Sequence, residues 1–222
     1  MVDIVVLGDI HGCSRFLENA LSKLRGSSIR NIYCVGDCIS RGPDSFGVIQ
    51  KCISHGVISV RGNHEDTFIK KIAASKTSGQ FFLEESLAKL VVSDIMLYLA
   101  AMPLFILVDK ILITHAGLPP DRFNMTAHEL IKTLNKRQDS PSLFNEGMLR
   151  FIDYYLMYSK ESNCKILDGY YQVFGHVVTN DPIITNQYAS IDTGCGYQNG
   201  RLSGIIADSK SGKVKEVLQW SG

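Results

Sequence analysis

The sequence predicts an α/β fold in which two mixed β-sheets pack as a sandwich flanked by helices. In the first half of the chain, short apolar strands alternate with amphipathic helices, a pattern typical of parallel strands. In the second half, strands follow one another with turns between them, which indicates a second sheet. Hydrophobic residues make up 45% of the 222 residues, enough for a sizeable core. No linker or repeat interrupts the chain, so we expect one domain over residues 1–222.

The first half is predicted to contain three strands, each followed by a helix. The predicted strands are Ile4–Leu7, Asn31–Val35 and Val57–Val60. The predicted helices are Ser14–Leu24, Asp44–Ser54 and a third that begins at about Glu65. Pro43 stands near the first turn of the second helix, where the fixed φ of proline favours helix entry.

The rest of the chain is predicted to contain further helices and then a run of strands. Phe81–Ala101 is apolar and periodic, which predicts one long helix that ends before Pro103. A hairpin is expected where Leu104–Val108 and Ile111–Thr114 flank Asp-Lys. Two more helices are predicted at Thr126–Lys136 and Leu149–Ser159, and strands at Tyr171–Phe174, Ala189–Ile191, Leu202–Asp208 and Val214–Gln219.

Composition excludes several classes of function. The net charge is +1 and no basic block stands out, so we expect binding neither to nucleic acid nor to membrane surfaces. No apolar run reaches transmembrane length, and Asp3 leads directly into a strand rather than a signal peptide. The six cysteines form no C-x-x-C pair, which favours free thiols in a cytoplasmic protein.

Polar residues follow five of the predicted strands. The segments are GDIHG, GDCISRG, RGNHE, HAG and GH, and each contains a glycine that lets the backbone turn or approach closely. In an open α/β sheet, ligands bind beyond the carboxyl ends of the strands. One such segment alone is more often a simple turn or a structural histidine. Five segments of compatible chemistry predict a common site.

The side chains in these segments are oxygen and nitrogen donors without thiolates. Such a set suits Mn, Fe or Zn ions. The candidate ligands are Asp9, His11, Asp37, Asn63, His115 and His176. His55 and His128 lie outside the segments, and we interpret them as surface residues.

Taken together, the blocks GDIHG, GDCISRG, RGNHE, HAG and FGH resemble the calcineurin-like metallophosphoesterases. Within that superfamily they resemble the phosphoprotein phosphatase branch in its small bacterial and phage form. The resemblance runs from about residue 3 to the closing segment IDTGCGYQNGRLS, whereas Phe68–Leu107 matches little. It implies the α/β/β/α sandwich of that superfamily.

The resemblance also implies a centre of two divalent metal ions, with Mn expected and Fe or Zn as alternatives. Asp9 and His11 would hold one ion, and Asp37 would bridge both. Asn63, His115 and His176 would complete the second ion. A hydroxide between the two ions would attack phosphorus in line.

Three further residues are assigned catalytic roles by the same resemblance. His64 would protonate the leaving oxygen, and Arg41 would hold the phosphoryl oxygens. A second arginine is expected between His115 and His176; Arg150 is the candidate, with Arg122 and Arg137 as rivals.

Two residues give opposite indications of the substrate class. Many protein phosphatases of this branch carry an Asp that orients the catalytic histidine where this chain has Ser40. Diadenosine tetraphosphate hydrolases also lack that Asp, and RGPDS and HAGLPP resemble them, whereas Glu65 in GNHE and the short chain favour the protein phosphatases. We expect a serine/threonine phosphoprotein phosphatase that also accepts phosphotyrosine, acting on a phosphorylated protein or a small phosphoester. The alternative is a bis(5'-nucleosyl)-tetraphosphatase. A scaffold without catalysis would lack a ligand, and none is missing.

Overall fold

The computed structural model describes residues 2–78, 85–91, 93–118, 132 and 167–221. In the first part of the chain, the helices and strands are β1 (Asp3–Leu7), α1 (Ser14–Leu24), β2 (Asn31–Cys34), α2 (Ser45–His55), β3 (Ile58–Ser59), α3 (Asn63–Ser78), α4 (Glu85–Ala88) and α5 (Ser93–Ala101). Seven strands follow: β4 (Phe105–Val108), β5 (Ile111–Thr114), β6 (Tyr171–Phe174), β7 (Ile183–Ile184), β8 (Tyr188–Ser190), β9 (Leu202–Asp208) and β10 (Lys213–Trp220).

Two five-stranded sheets organise these strands. The first sheet has the order β10-β9-β1-β2-β3, with β1, β2 and β3 parallel and the other two strands antiparallel to their neighbours. The second has the order β4-β5-β6-β8-β7, with β5, β6 and β8 parallel and an antiparallel strand at each edge. Both sheets are therefore mixed, and the predicted fold class is confirmed.

Alternate residues of β1 pack into two different cores. Ile4 and Val6 lie in a cluster with Ile113 and Val173 of the second sheet. Val5 and Leu7 lie in the other cluster, which contains residues of α1, α2 and α3. Because successive side chains of a strand point to opposite faces, one apolar run can serve both cores. This burial on both faces explains the unbroken apolar sequence Ile4–Leu7.

The helices of the first half begin and end where local chemistry allows. The side chain of Asp44 accepts a hydrogen bond from the backbone N–H of Gly47 at 2.8 Å and so caps α2. Its other oxygen accepts from Ser14 Oγ at 2.6 Å, which ties the start of α1 to the start of α2. At the far end, Gly56 adopts the left-handed conformation with φ 65° and ends α2.

The middle of the chain differs from the prediction of one long helix over Phe81–Ala101. The structure has two short helices, α4 and α5, and residues 79–84 and 92 lie outside the described part. The backbone turns tightly after α4, with Leu90 N–H donating to the Leu87 carbonyl at 3.0 Å. This turn buries Leu90 completely, as α5 buries Leu99, so two helices supply the apolar contacts that the periodicity suggested.

Other elements follow the prediction more closely or cannot be compared with it. The short edge strand β7 was not predicted, and the remaining strands agree within a few residues. The predicted helices Thr126–Lys136 and Leu149–Ser159 lie outside the described residues. Among the helices that are described, none combines the length and apolarity that crossing a bilayer requires.

Candidate metal centre

The six predicted ligands lie at the carboxyl ends of five parallel strands. Three of these strands belong to the first sheet and two to the second, so the sandwich brings the ends of both sheets to one edge. Asp9 and His11 follow β1, Asp37 follows β2, Asn63 follows β3, His115 follows β5 and His176 follows β6.

The carboxylate of Asp37 lies at the centre of this cluster. Its Oδ2 atom is 3.7 Å from His11 Nε2 and 3.6 Å from His115 Nε2. On one side His11 Nε2 is also 3.9 Å from Asp9 Oδ2. On the other side Asn63 Oδ1 lies 2.8 Å from His115 Nε2. The arrangement is that of one shared carboxylate between two groups of donors.

Asn63 connects the two histidines of the second group. Its Oδ1 atom is 3.1 Å from His176 Nδ1, in addition to its contact with His115. The rings of His115 and His176 meet edge to face, with centroids 5.0 Å apart. The structure therefore brings all six predicted ligands together.

The ring orientation of two histidines fits metal ligation. His115 Nδ1 is 2.9 Å from the carbonyl oxygen of Val35, and His11 Nδ1 is 3.3 Å from that of Ile39. Because a carbonyl can only accept, each Nδ1 carries the proton and donates it. The lone pair of each Nε2 is then directed at the carboxylates, as in metal-ligating histidines held by a second contact.

The backbone of the centre adopts conformations that most residues avoid. His11, Asp37 and His176 have positive φ angles of 46°, 49° and 73°. The left-handed region costs a non-glycine residue about 1–3 kcal/mol. This strain turns the side chains inward immediately after each strand.

Two glycines leave room for the carboxylates. A Cβ atom at Gly62 would overlap Asp37 Oδ1, and one at Gly175 would overlap Asp9 Oδ1. Any other residue at Gly62 would displace the carboxylate of Asp37, and any other residue at Gly175 would displace that of Asp9. The glycines of RGNHE and FGH therefore have a steric function here.

The electrostatics of the cluster favour a positive charge next to its carboxylates. Burial, together with Asp192 and Asp37, raises the pKa of Asp9 well above its usual value, and burial raises the pKa of Asp37 to about 7. Burial lowers the pKa of His11 to about 3 and that of His115 to about 4, so both rings are neutral. Asp9 Oδ2 is buried, and none of the residues that the structure describes forms a hydrogen bond with it. Buried carboxylates and neutral imidazoles in this arrangement fit divalent cations.

Glu65, to which the sequence analysis assigned no role in the site, supports the loops around the cluster. Its Oε1 atom accepts from the backbone N–H groups of Cys38 and Ile39 at 2.8 and 3.1 Å. Its Oε2 atom accepts from those of Asp37 and Gly62 at 3.0 and 2.9 Å. The fully buried carboxylate thus joins the loops after β2 and β3. The sequence feature that could have revealed this role is the acidic residue near the start of a helix in the GNHE block.

The pKa of Glu65 reflects opposing effects. Burial and the charge of Asp37 raise it to about 7, while the backbone N–H groups oppose this rise. Four donors around two oxygens suit the ionised form. Above neutral pH, we therefore regard Glu65 as an ionised, buried carboxylate whose oxygens accept hydrogen bonds from the backbone.

His64 lies about as close to the Asp37 carboxylate as His11 and His115 do, and Arg41 lies next to His64. His64 Nε2 is 3.4 Å from Arg41 Nη2 and 3.8 Å from Asp37 Oδ2. The guanidinium of Arg41 lies 4.4 Å from the centroid of the Tyr197 ring, which is 46% exposed. Within the described part of the chain, Asp37 is the acidic residue within 4 Å of the His64 ring. Ser40 carries no charge and therefore cannot form an ion pair with His64.

A cleft of about 520 Å³ opens next to these residues. It is lined by Ser40, Arg41, Asn63, His64, Thr67, Phe68, Lys71 and Leu87. The cleft begins at the metal cluster and runs along α3, so it is placed to take the part of a substrate that extends away from the cluster. Arg150 and its rivals Arg122 and Arg137 lie outside the described residues.

Comparison with protein families gives a match over most of the chain. The family described as calcineurin-like phosphoesterase matches residues 2–201. A solved structure of a candidate diadenosine tetraphosphatase superposes with a TM-score of 0.66 over 99% of this chain and 95% of the other, at 23% identity. At that identity the superposition bears on the fold alone.

Three curated relatives carry different names. The chain is 28% identical to the asymmetrical bis(5'-nucleosyl)-tetraphosphatase PrpE of Oceanobacillus iheyensis, over 88% of this chain and 85% of the relative. It is 37% identical to the symmetrical bis(5'-nucleosyl)-tetraphosphatase of Buchnera aphidicola, over 51% of this chain and 43% of the relative. It is 38% identical to serine/threonine-protein phosphatase 1 of Salmonella typhimurium, over 33% and 34%. The last two matches span less than half of each relative.

Proposed function

The chain belongs to the calcineurin-like phosphoesterase family, and from this premise we propose that it is a metal-dependent hydrolase of dinucleoside polyphosphates. The observation that carries the choice of substrate is the surroundings of His64. Its one carboxylate neighbour within 4 Å in the described residues is Asp37, itself a proposed metal ligand, and Ser40 offers no charge. A proton donor without its own acidic partner gives weak assistance to a leaving group.

The leaving groups of the two substrate classes differ in how much they need that assistance. A phosphoanhydride releases a nucleotide phosphate, which is stable as an anion. A phosphoserine or phosphothreonine releases an alkoxide, which must be protonated as it leaves. Because His64 lacks an acidic partner of its own, it favours hydrolysis of the anhydride. The matches to two tetraphosphatases, one of them over 85% of its length, support this choice.

We propose that Asp9 and His11 hold one divalent ion, that Asp37 bridges two, and that Asn63, His115 and His176 complete the second site. Mn is the proposed metal, with Fe or Zn as alternatives. When bound, such a pair lowers the pKa of water and neutralises charge on the phosphoryl oxygens. The raised pKa values of the buried carboxylates and the orphaned Asp9 Oδ2 support this assignment.

The remaining roles fall to residues of the chain itself. His64 lies at the entrance of the cleft and would deliver a proton to the oxygen that leaves. Arg41, held against Tyr197, would bind the phosphoryl oxygens through its guanidinium. The ring of Tyr197 also presents an exposed aromatic surface beside the cluster, 6.4 Å from His11 between ring centroids. Such a surface suits stacking with a nucleotide base.

A phosphoprotein phosphatase is the second candidate. The GNHE block and the match to the Salmonella phosphatase favour it. Phosphotyrosine, whose phenolic leaving group is less basic than an alkoxide, would be the phosphoamino acid that a weak proton donor handles best.

A parallel assay separates the two candidates. The Mn-loaded protein is given diadenosine tetraphosphate and a panel of phosphoserine, phosphothreonine and phosphotyrosine peptides, and kcat/KM is compared. We expect the dinucleotide to be preferred by at least tenfold. Asp37→Asn, prepared in the same way, serves as the control for contaminating phosphatases. A clear peptide preference would replace the first proposal by the second, and no turnover of either by protein with two bound ions would overturn both.

A further inference from the structure

One face of α3 lines the cleft from the metal cluster outward. His64, Thr67, Phe68 and Lys71 follow the spacing i, i+3, i+4, i+7, which places them on one side of a helix. Phe68 is buried and forms the floor, whereas Thr67 and Lys71 are exposed. The face therefore presents a hydroxyl and an ammonium group in line with the proposed proton donor.

The charges on α3 are separated between two faces. Asp66, on another face, is 2.8 Å from Lys70 Nζ and 3.8 Å from Arg61 Nη1. Lys71 has no ion-pair partner among the described residues, and the residues that line the cleft include two cations and no carboxylate. A cleft of this composition suits an anionic ligand.

The position of Lys71 sets the length of that ligand. It stands seven positions after His64 in α3, which corresponds to about 10 Å along the helix axis. A single phosphate group at the metal cluster occupies the His64 end of this face, whereas Lys71 stands at the other end of the cleft lining. A chain of several linked phosphates that leaves the cluster along α3 passes Thr67 and reaches it.

We propose that Thr67 and Lys71 form a subsite for the phosphate chain beyond the reacting phosphate, with Lys71 as the specificity-determining cation. The subsite rests on the proposed function, since it serves a polyphosphate substrate of the same metal centre. It separates such substrates from simple phosphomonoesters by a contact that only the longer anion makes.

The test compares Lys71→Gln with Lys70→Gln, which removes the same charge one residue away on the face of Asp66. Inorganic tripolyphosphate is titrated as an inhibitor of p-nitrophenyl phosphate hydrolysis at fixed free Mn²⁺. We expect Lys71→Gln to raise the inhibition constant about fivefold. The KM for p-nitrophenyl phosphate should not change in either variant, because that substrate has no phosphate chain.

The KM for diadenosine tetraphosphate provides the second readout. It should rise by a similar factor in Lys71→Gln and stay constant in Lys70→Gln. Equal inhibition constants in wild type and both variants would overturn the subsite, whether or not the dinucleotide is hydrolysed. Weaker tripolyphosphate inhibition in Lys71→Gln alone would support the subsite even if wild type failed to hydrolyse the dinucleotide, a failure that would refute only the proposed function. A rise in KM for an acidic phosphopeptide, with unchanged tripolyphosphate inhibition, would assign Lys71 to protein recognition and overturn the proposal.

Discussion

Replacing Glu65 by Gln would test whether the buried carboxylate holds the loops after β2 and β3 together. The substitution keeps the size of the side chain and exchanges one oxygen for an NH₂ group. Each Glu65 oxygen accepts two backbone N–H groups, from Cys38 and Ile39 on one side and from Asp37 and Gly62 on the other. Whichever way the amide is turned, two buried donors lose their acceptor and face a donor instead.

The expected loss follows from those two donors. A buried N–H left without an acceptor costs about 1–3 kcal/mol, so Glu65→Gln should lower the free energy of unfolding by about 2–6 kcal/mol. The free energy of unfolding of a natural domain is about 5–15 kcal/mol, so a loss of this size is large. Metal affinity should fall as well, because the N–H of Asp37 is one of the groups released.

The assay is urea unfolding of the metal-free protein at pH 8, above the pKa of Glu65. The control is Glu18→Gln, which removes a surface carboxylate that pairs with Arg25 and Lys51 at 3.8 and 3.7 Å and should change stability by less than about 1 kcal/mol. Metal content per chain is measured for each variant after dialysis against Mn²⁺. A loss below about 1 kcal/mol for Glu65→Gln would refute the reasoning. It would mean that the Glu65 carboxyl is already protonated in the folded protein, so that a Gln amide can replace it at little cost.

Three further predictions concern the metal cluster and its surroundings. Asp37→Asn should lose both ions and all activity together, and two ions per chain in the purified variant would contradict the bridging role. Ser40→Asp should give His64 a charged partner and raise turnover of alkyl phosphates, with little effect on p-nitrophenyl phosphate; equal turnover at equal metal content would argue against it. Burial raises the pKa of both Asp37 and Glu65 to about 7, so near neutral pH the folded metal-free protein holds protons that the unfolded chain has released. Its melting temperature in EDTA should therefore fall as the pH rises from 6.5 through 7, whereas a rise would show that these carboxyls titrate normally.

The sequence was sufficient to predict the location of the cluster. Parallel strands bring their carboxyl ends to one edge, so polar residues that follow several strands must meet there. His115 and His176 were assigned to the site in this way although 52 and 113 residues separate them from Asn63. The fold class was accessible for a related reason, since strand periodicity is a local property of the chain.

The details that escaped prediction depend on contacts between distant segments. Glu65 supports the cluster because its oxygens accept hydrogen bonds from N–H groups 26 to 28 residues earlier, and no local pattern reports this. The turn at Leu90 arises because tertiary burial overrides an apolar periodicity that local analysis assigned to one helix. Lys71 has a helical neighbour of the same charge, and only the packing of α3 shows which of the two faces the cleft.

The left-handed residues around the cluster have a consequence for selection experiments. Of the seven described non-glycine residues with positive φ, five belong to the site: His11, Asp37, Ser40, Arg41 and His176. Glycine would relieve the strain at each of them by about 1 kcal/mol or more. A laboratory selection for heat resistance alone would therefore accumulate substitutions at these positions and return well-folded proteins without a metal centre. Libraries for stabilising this protein should hold the five positions constant and vary the regular strands and helices instead.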